Sequence, residues 1–315
     1  MPAAPLLVTG ANGHLGRDLI RAVGGTRPIR AAVRSERAAA ILAELPEALR
    51  PEVHILDYAD EAALRAAGED CSAWIHLVGI LKESQTARYE DAHERTCEVL
   101  ARAAEKAGAE RIVYMSILGA DPASRNACLA SKARAEGTLS SGATPATTLR
   151  VPMVLGPNEI AAGALLGQAS APVSFLTRGG ATREQPIDAR DVVAAILAAA
   201  NEQGSTSGGL DLAGPESLTH RELVMRVAAL LGKSPRIVPL PLVVLRGIAS
   251  LLERVASAPP ITRAMLGVLE HDDDIDPGPA CRRLGLELTP LADTLQHTFA
   301  PAADLFPPAA QEEPR

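Results

Sequence analysis

Aromatic side chains are nearly missing from this sequence: one Trp, three Tyr and three Phe in 315 residues. Its core must therefore be built from Ala, Leu, Val and Ile, and the ring platforms on which single-stranded nucleic acids stack are too few to line a groove. Positive charge is also in deficit. There are 31 Lys and Arg against 38 Asp and Glu, a net charge of -7, and no basic run outweighs its acidic neighbours, so nucleic acid is not an expected partner. Cysteine is sparse. Cys71, Cys97, Cys128 and Cys281 form no CxxC pair and have no His at ligand spacing, so neither a metal site nor a disulfide framework is indicated, and a reducing cytoplasm fits. The start, Met1-Pro2-Ala3 running into Leu6-Leu7-Val8, has neither a basic segment nor a leader-like apolar stretch, so no targeting segment is expected. Long hydrophobic runs are lacking too: the most apolar one, residues 238–255, is interrupted by Pro239, Pro241, Arg246 and Glu253 and does not reach the roughly 20 residues a membrane span needs.

What is present is a large apolar content, 47%, arranged in a regular order. Short β-like runs at residues 5–9, 29–33, 53–56, 73–77, 111–116 and 147–151 alternate with helical patterns. That alternation predicts βαβ units and a parallel, doubly wound sheet of the Rossmann kind, with ligands at the carboxyl ends of its strands. The longest helical pattern, 89–107, puts Val99, Leu100 and Ala103 on one face. Residues 1–155, completed by about 185–213, form the expected dinucleotide-binding domain; a strand is expected at 209–213 and a helix at 192–200, capped by Asp191. Residues 156–184 and 214–300 form a smaller, mostly helical C-terminal region. In it Thr219 and Glu222 make a capping box for a helix at 221–231. The Pro- and Glu-rich tail, 301–315, is expected to be disordered.

The segment Val8-Thr9-Gly10-Ala11-Asn12-Gly13-His14-Leu15-Gly16 sets glycines at GxxGxxG spacing between the first strand and the first helix. Glycines there permit a tight turn and close backbone approach, while the helix N-terminus offers free amides to a pyrophosphate. Residues Gly10 to Gly16 are thus the candidate phosphate cradle. The second strand ends in Arg34-Ser35, where an NAD-selective site would carry Asp or Glu for the ribose hydroxyls. A guanidinium there can pair with a 2'-phosphate, so NADP(H) is favoured over NAD(H), against the alternative of a solvated arginine at a helix start. Asp57-Tyr58 follows the third strand and Leu77-Val78-Gly79 the fourth, on the same sheet edge, as expected neighbours of adenine and ribose. Asp57 can equally be a helix cap, and Gly79 a turn glycine.

The residues 8–16, 76–81, 89–96, 111–120, 131–136, 149–157 and 185–192 together resemble the atypical, NmrA-like branch of the short-chain dehydrogenase/reductase superfamily. More narrowly, His-Leu-Val-Gly-Ile-Leu, Met-Ser-Ile-Leu-Gly-Ala and Ser-Lys-Ala-Arg-Ala-Glu are similar to bacterial relatives of the nucleotide-binding accessory subunit of respiratory complex I. In catalytic members a Ser after the fifth strand and a Tyr-x-x-x-Lys pair on the next helix polarise a carbonyl and move its proton. The resemblance places Ser116 and Lys132 at two of these positions, gives Lys132 a further role at the nicotinamide ribose, and sets Val151 at the site's border. The position one turn before Lys132 holds Cys128, not Tyr. The expected state of Cys128 is an inactive, packed thiol, with proton transfer by a thiol acidified beside Lys132 as the alternative.

Three function classes follow. The first is a nicotinamide-nucleotide-binding structural or sensor subunit without ordinary dehydrogenase activity. The second is an NADPH-dependent reductase or isomerase that uses Ser116 and Lys132 without the family Tyr. The third is contact with a protein complex or a membrane periphery through the C-terminal helices, where residues 241–255 set Leu242, Val243, Leu245, Ile248, Leu251 and Leu252 around Arg246 and Glu253; ordinary core packing is the competing use of that face.

Overall fold

Runs of apolar residues too short for helices become strands, and those inside the sheet are buried on both faces, as a parallel sheet covered by helices requires. In the computed structural model, which describes residues 3–84, 86–202, 204, 207–255, 262–269 and 271–303, seven strands form one sheet. They are β1 (Leu6–Thr9), β2 (Ile29–Val33), β3 (Glu52–Ile55), β4 (Ala73–His76), β5 (Arg111–Ile117), β6 (Ala146–Val151) and β7 (Gly208–Asp211). All pair in parallel, in the order β7-β6-β5-β4-β1-β2-β3. The winding reverses between β1 and β4, and the crevice beyond their carboxyl ends is where this topology binds ligands. Thr9 lies there, opposite Ala32 on one side and His76 on the other.

Helices α1 (His14–Val23) and α2 (Glu36–Ala43) cover one face, and α3 (Glu61–Ala67), α4 (Thr96–Ala107) and α5 (Ala127–Ser140) the other. Further along come α6 (Ile160–Ser170), α7 (Ala189–Asn201), α8 (His220–Leu230), α9 (Leu242–Val255), α10 (Arg263–Leu269), α11 (Gly278–Leu284) and α12 (Leu291–Ala303). Leu19, Ile20, Val192, Ile196 and Leu284 join the core on the α1 side; Leu64, Leu100, Ala135 and Leu139 join the core on the α4 side. A third, separate core of Leu165, Leu176, Leu223, Val227, Leu295 and Phe299 gathers α6, α8 and α12.

Several local details differ from expectation. The helix expected at 192–200 begins at Ala189, because Asp188 is its cap and accepts from the Arg190 amide; Asp191 instead accepts from the Thr289 amide and hydroxyl. The helix expected from 89 opens as a π-helix, Glu90–Arg95. Such wide turns often mark functional sites, and here it carries His93 inward, against Ser131 of α5. The expected capping box of α8 is present, with Thr219 and Glu222 each bonding the other's amide. The tail reading falls mostly on residues 304–315, which lie outside the described residues; α12 extends to Ala303.

Candidate nucleotide-binding site

From Thr9 the chain turns through Gly10-Ala11-Asn12-Gly13 into α1. Gly10 has φ +74°, and a Cβ on it would stand 3.2 Å from the Leu77 carbonyl carbon and 3.3 Å from Val78, so the backbone conformation and the strand end beside it both call for glycine. At Gly16 a Cβ would lie 2.5 Å from the Ala11 carbonyl oxygen, which is how α1 packs flat against the loop. Gly13 is the N-cap and supplies no side chain to bond the first-turn amides. Those amides, at the positive end of the helix dipole, face the crevice, and the cradle fits a pyrophosphate. Ala11 is buried, while Asn12, His14 and Leu15 are partly exposed along the loop. His14 Nδ1 accepts from Arg17 Nη2 at 2.9 Å. Burial first, and the Arg17 charge second, lower the His14 pKa. The sequence reading did not single out Arg17, whose guanidinium stands beside the cradle; its place in the first turn of α1 was the available signal.

Tyr58 holds the cradle from below. Its hydroxyl accepts from the Gly10 amide (3.0 Å) and donates to the Ala32 carbonyl at the end of β2 (2.8 Å). The Arg34 guanidinium carbon lies 5.9 Å from the centre of the Tyr58 ring, a cation–π distance that keeps an exposed charge at the end of β2. Tyr58 is thus buried, and the part of it that meets the loop is its hydroxyl. Ser35 is the N-cap of α2 and accepts from the Ala38 amide. Asp57 is exposed and accepts from the Ala59 amide, while the cap of α3 is Asp60. Tyr58→Phe removes both bonds at the loop. It is expected to cost about 1–2 kcal/mol of stability and to weaken NADPH binding about tenfold, or about 1.4 kcal/mol, by thermal unfolding and calorimetry. Unchanged binding would separate the hydroxyl from cradle geometry.

The other end of the crevice is lined by Leu77, Val78 and Gly79 after β4. Gly79 is exposed, and a Cβ there would approach Lys132 Nζ to 2.9 Å, so glycine opens a path between the ammonium and the crevice. Lys132, only 8% exposed, donates to the Met115 carbonyl (2.9 Å) and sits 4.6 Å from the centre of the Tyr114 ring. Burial lowers its pKa. Cys128 lies one turn earlier on the same face of α5. It is 1% exposed, and its thiol is 3.7 Å from the Ile80 carbonyl. Burial raises the thiol's pKa, against the pull of Lys132.

Ser116 is buried and its hydroxyl donates to Glu136 Oε1 at 2.5 Å. The other Glu136 oxygen accepts from Arg150 Nε (2.9 Å) and Nη2 (2.6 Å), and Arg150 also reaches Asp211. The fold therefore brings Lys132 and Cys128 together and commits Ser116 to an ion pair. Val151 packs into the core on the α1 side of the sheet. Glu136, four residues after Lys132, was legible only as part of a motif; the i,i+4 spacing that puts it on the lysine's side of α5 was the signal. Two buried histidines complete the surroundings. His76 bonds Thr9 Oγ1 at 2.7 Å, and His93 accepts from the Ile80 amide through Nε2 while Nδ1 pairs with Ser131. Burial, reinforced by the Lys132 charge, takes each down to about 3, so both are neutral.

Comparison with known proteins supports the binding of a nicotinamide dinucleotide. A family model described as NAD(P)H-binding matches residues 10–203. The chain is 30% identical over 255 residues to the Arabidopsis thaliana protein named NADH dehydrogenase [ubiquinone] 1 alpha subcomplex subunit 9, mitochondrial, a match covering 77% of this chain and 62% of that protein. The chain thus spans less than two thirds of the plant relative's own length. It is 26% identical over 236 residues to the ceramide reductase of Caulobacter vibrioides, covering 74% and 73% of the two chains. Among solved structures, MoeE5 in complex with UDP-glucuronic acid and NAD superposes with a TM-score of 0.73 at 19% identity, over 96% of this chain and 99% of that one; it shares the fold.

Proposed function

This chain belongs to the NAD(P)H-binding family, and from that premise we propose that it holds a nicotinamide dinucleotide, NADP(H) before NAD(H), as a structural or sensor subunit without ordinary dehydrogenase turnover. The observation that carries this reading is Cys128. The group that would exchange a proton beside Lys132 is a buried thiol with a raised pKa, against the Ile80 carbonyl, and a thiol so placed stays protonated near neutral pH. Ser116 supports the reading, since its proton is donated to a carboxylate already paired with Arg150. The amides of the Gly10–Gly16 turn would hold the pyrophosphate, and Lys132, whose Nζ lies beside Gly79, would meet the nicotinamide ribose. When bound, the nucleotide supplies hydride chemistry; the protein supplies the cradle and the charge. Kinship with the plant complex I subunit supports membership in a larger assembly.

Calorimetric titration with NADPH, NADP+, NADH and NAD+, followed by nicotinamide fluorescence during a carbonyl-substrate screen, tests this directly. Tight NADPH binding without oxidation is expected. Substrate-dependent oxidation overturns the reading in favour of a reductase, for which the relative named ceramide reductase and the retained Lys132 speak. Preference between the two nucleotides rests on Arg34. Arg34→Asp removes the donor available to a 2'-phosphate and supplies an acceptor for ribose hydroxyls, so the NADPH-to-NADH affinity ratio should fall by about a hundredfold, or about 2.7 kcal/mol. An unchanged ratio places the 2'-phosphate away from Arg34.

A further inference from the structure

A carboxylate oxygen without a partner lies buried beside the helix that carries the cradle. Glu159 is the N-cap of α6, but its side chain bonds none of that helix's first-turn amides, and its Oε1 is buried with no hydrogen-bond partner. The chain that delivers it leaves the carboxyl end of β6 and pairs Val154–Leu155 with Ile187–Asp188. At Gly156 it packs on Ala189, the first residue of α7, so closely that an added Cβ would stand 3.0 Å from the alanine's own. Because α7 packs against α1, this path brings the carboxyl to the first two turns of α1, where Asp18 and Arg17 are the charges that act on it. On α7, Asp188 is bonded to Arg190 and Asp191 to Thr289. The helices α8 and α12 also pack on α6, and none of their charged groups acts on Glu159.

Neither neighbour neutralises the carboxylate. Arg17 is committed to the cradle: its Nε donates to the Gly13 carbonyl at 3.4 Å and its Nη2 to His14 Nδ1 at 2.9 Å. Asp18 is paired with Arg21 and is a like charge. An ionised Glu159 is thus shut off from water, without a donor on Oε1, beside another anion. Burial first and Asp18 second push its pKa up to about 6, with Arg17 pulling the other way. A dinucleotide sets its negative pyrophosphate on the amides at the start of this same helix and takes water out of the crevice. Added like charge and lost solvent both act against the ionised form of a carboxyl group and in favour of the acid.

We infer that Glu159 couples the cradle to the proton: the dinucleotide binds the form in which Glu159 is protonated, so that binding takes up a proton and tightens as the solution becomes more acidic. The inference rests on the nucleotide reading proposed above, and adds to it a residue that sets the affinity through its charge. A sensor built this way responds to acidity and to nucleotide together.

Calorimetry with NAD+ tests it, because NAD+ carries the pyrophosphate without the 2'-phosphate, whose own second ionisation falls at about pH 6. Titrations in two buffers of different ionisation enthalpy count the protons exchanged. The unmodified chain should take up about half a proton or more per NAD+ at about pH 6.5, and bind about tenfold more tightly at about pH 5.5 than at about pH 7.5. Glu159→Gln should reach the tighter affinity already at about pH 7.5 and lose most of the uptake. His14 is the control: burial and Arg17 lower its pKa, and an imidazolium in the cradle would act in the same direction, so His14→Gln should keep most of the uptake. Urea unfolding without nucleotide gives an independent reading. Folding raises the Glu159 pKa, so its contribution to stability is present below the ordinary carboxylate value and lost as pH rises through about 6; Glu159→Gln should abolish that loss. NAD+ binding without proton uptake, or uptake that survives Glu159→Gln and disappears in His14→Gln, overturns the inference and leaves the nucleotide reading standing. Absence of NAD+ and NADP+ binding at every pH overturns both.

Discussion

Gly13→Val is expected to abolish dinucleotide binding in a protein that still folds, whereas Gly16→Val should cost the fold itself. The two glycines are three residues apart in one motif, yet their surroundings differ. A Cβ on Gly13 meets only the Gly10 carbonyl oxygen, at 3.3 Å, and the residue's φ of -65° suits any side chain. Replacing glycine at a helix N-cap by an apolar residue costs about 1 kcal/mol, so the unfolding temperature should drop only slightly. The branched side chain would nevertheless stand where a pyrophosphate must approach the first-turn amides, and NADPH affinity should fall by at least about a hundredfold, or about 2.7 kcal/mol. At Gly16 the added Cβ lands 2.5 Å from the Ala11 carbonyl oxygen and 2.7 Å from its Cα. Ala11 is fully buried and cannot retreat without shifting α1 off the sheet, a change that should cost about 3 kcal/mol or more. Calorimetry and thermal unfolding on the two variants separate the roles. Wild-type NADPH affinity in Gly13→Val would remove the nucleotide from this loop, and a wild-type unfolding temperature in Gly16→Val would contradict the close packing of α1.

Both glycines could be read from the sequence because spacing and backbone approach are local properties. The sheet was legible for the same reason: each strand is a short apolar run between helical patterns, and the observed ends fall within a residue or so of those expected. What escaped were groups whose partners lie far along the chain. Asp191 has the composition of a helix cap, but its carboxylate is taken by Thr289, 98 residues away, and Asp188 caps α7 instead. Tyr58 reads as a residue that follows a strand on the ligand edge of the sheet, while its buried link between Gly10 and Ala32 depends on partners 48 and 26 residues away. Ser116 stands where the family resemblance implies a catalytic hydroxyl, while its hydroxyl is bonded to Glu136, itself paired with Arg150, which belong to α5 and β6. Motif position predicts where a residue sits along the crevice; hydrogen-bond partners decide what it is free to do.

The same distinction makes Lys132→Met informative, because the variant should be more stable and bind less. Among the described residues no carboxylate forms an ion pair with the Lys132 ammonium; its compensation is the Met115 carbonyl and the face of Tyr114. A buried cation with so little return is a net cost, and methionine fills a similar volume without it. A gain of about 1–2 kcal/mol is expected near neutral pH. Folding lowers the lysine's pKa, so the unfolded chain binds that proton more tightly. The native protein should therefore gain stability as pH rises from the depressed pKa toward the ordinary lysine value, and this contribution should vanish in the variant. NADPH affinity should fall about tenfold or more, or at least about 1.4 kcal/mol, because the charge that Gly79 exposes to the crevice is gone. Urea unfolding across alkaline pH and calorimetry at neutral pH read the two effects apart. If stability falls instead, the ammonium is part of what holds β5 to α5; if it rises while affinity is unchanged, the lysine does not reach the nucleotide. The expected result, stability gained and binding lost, would show that a costly buried charge persists here because the nucleotide site uses it.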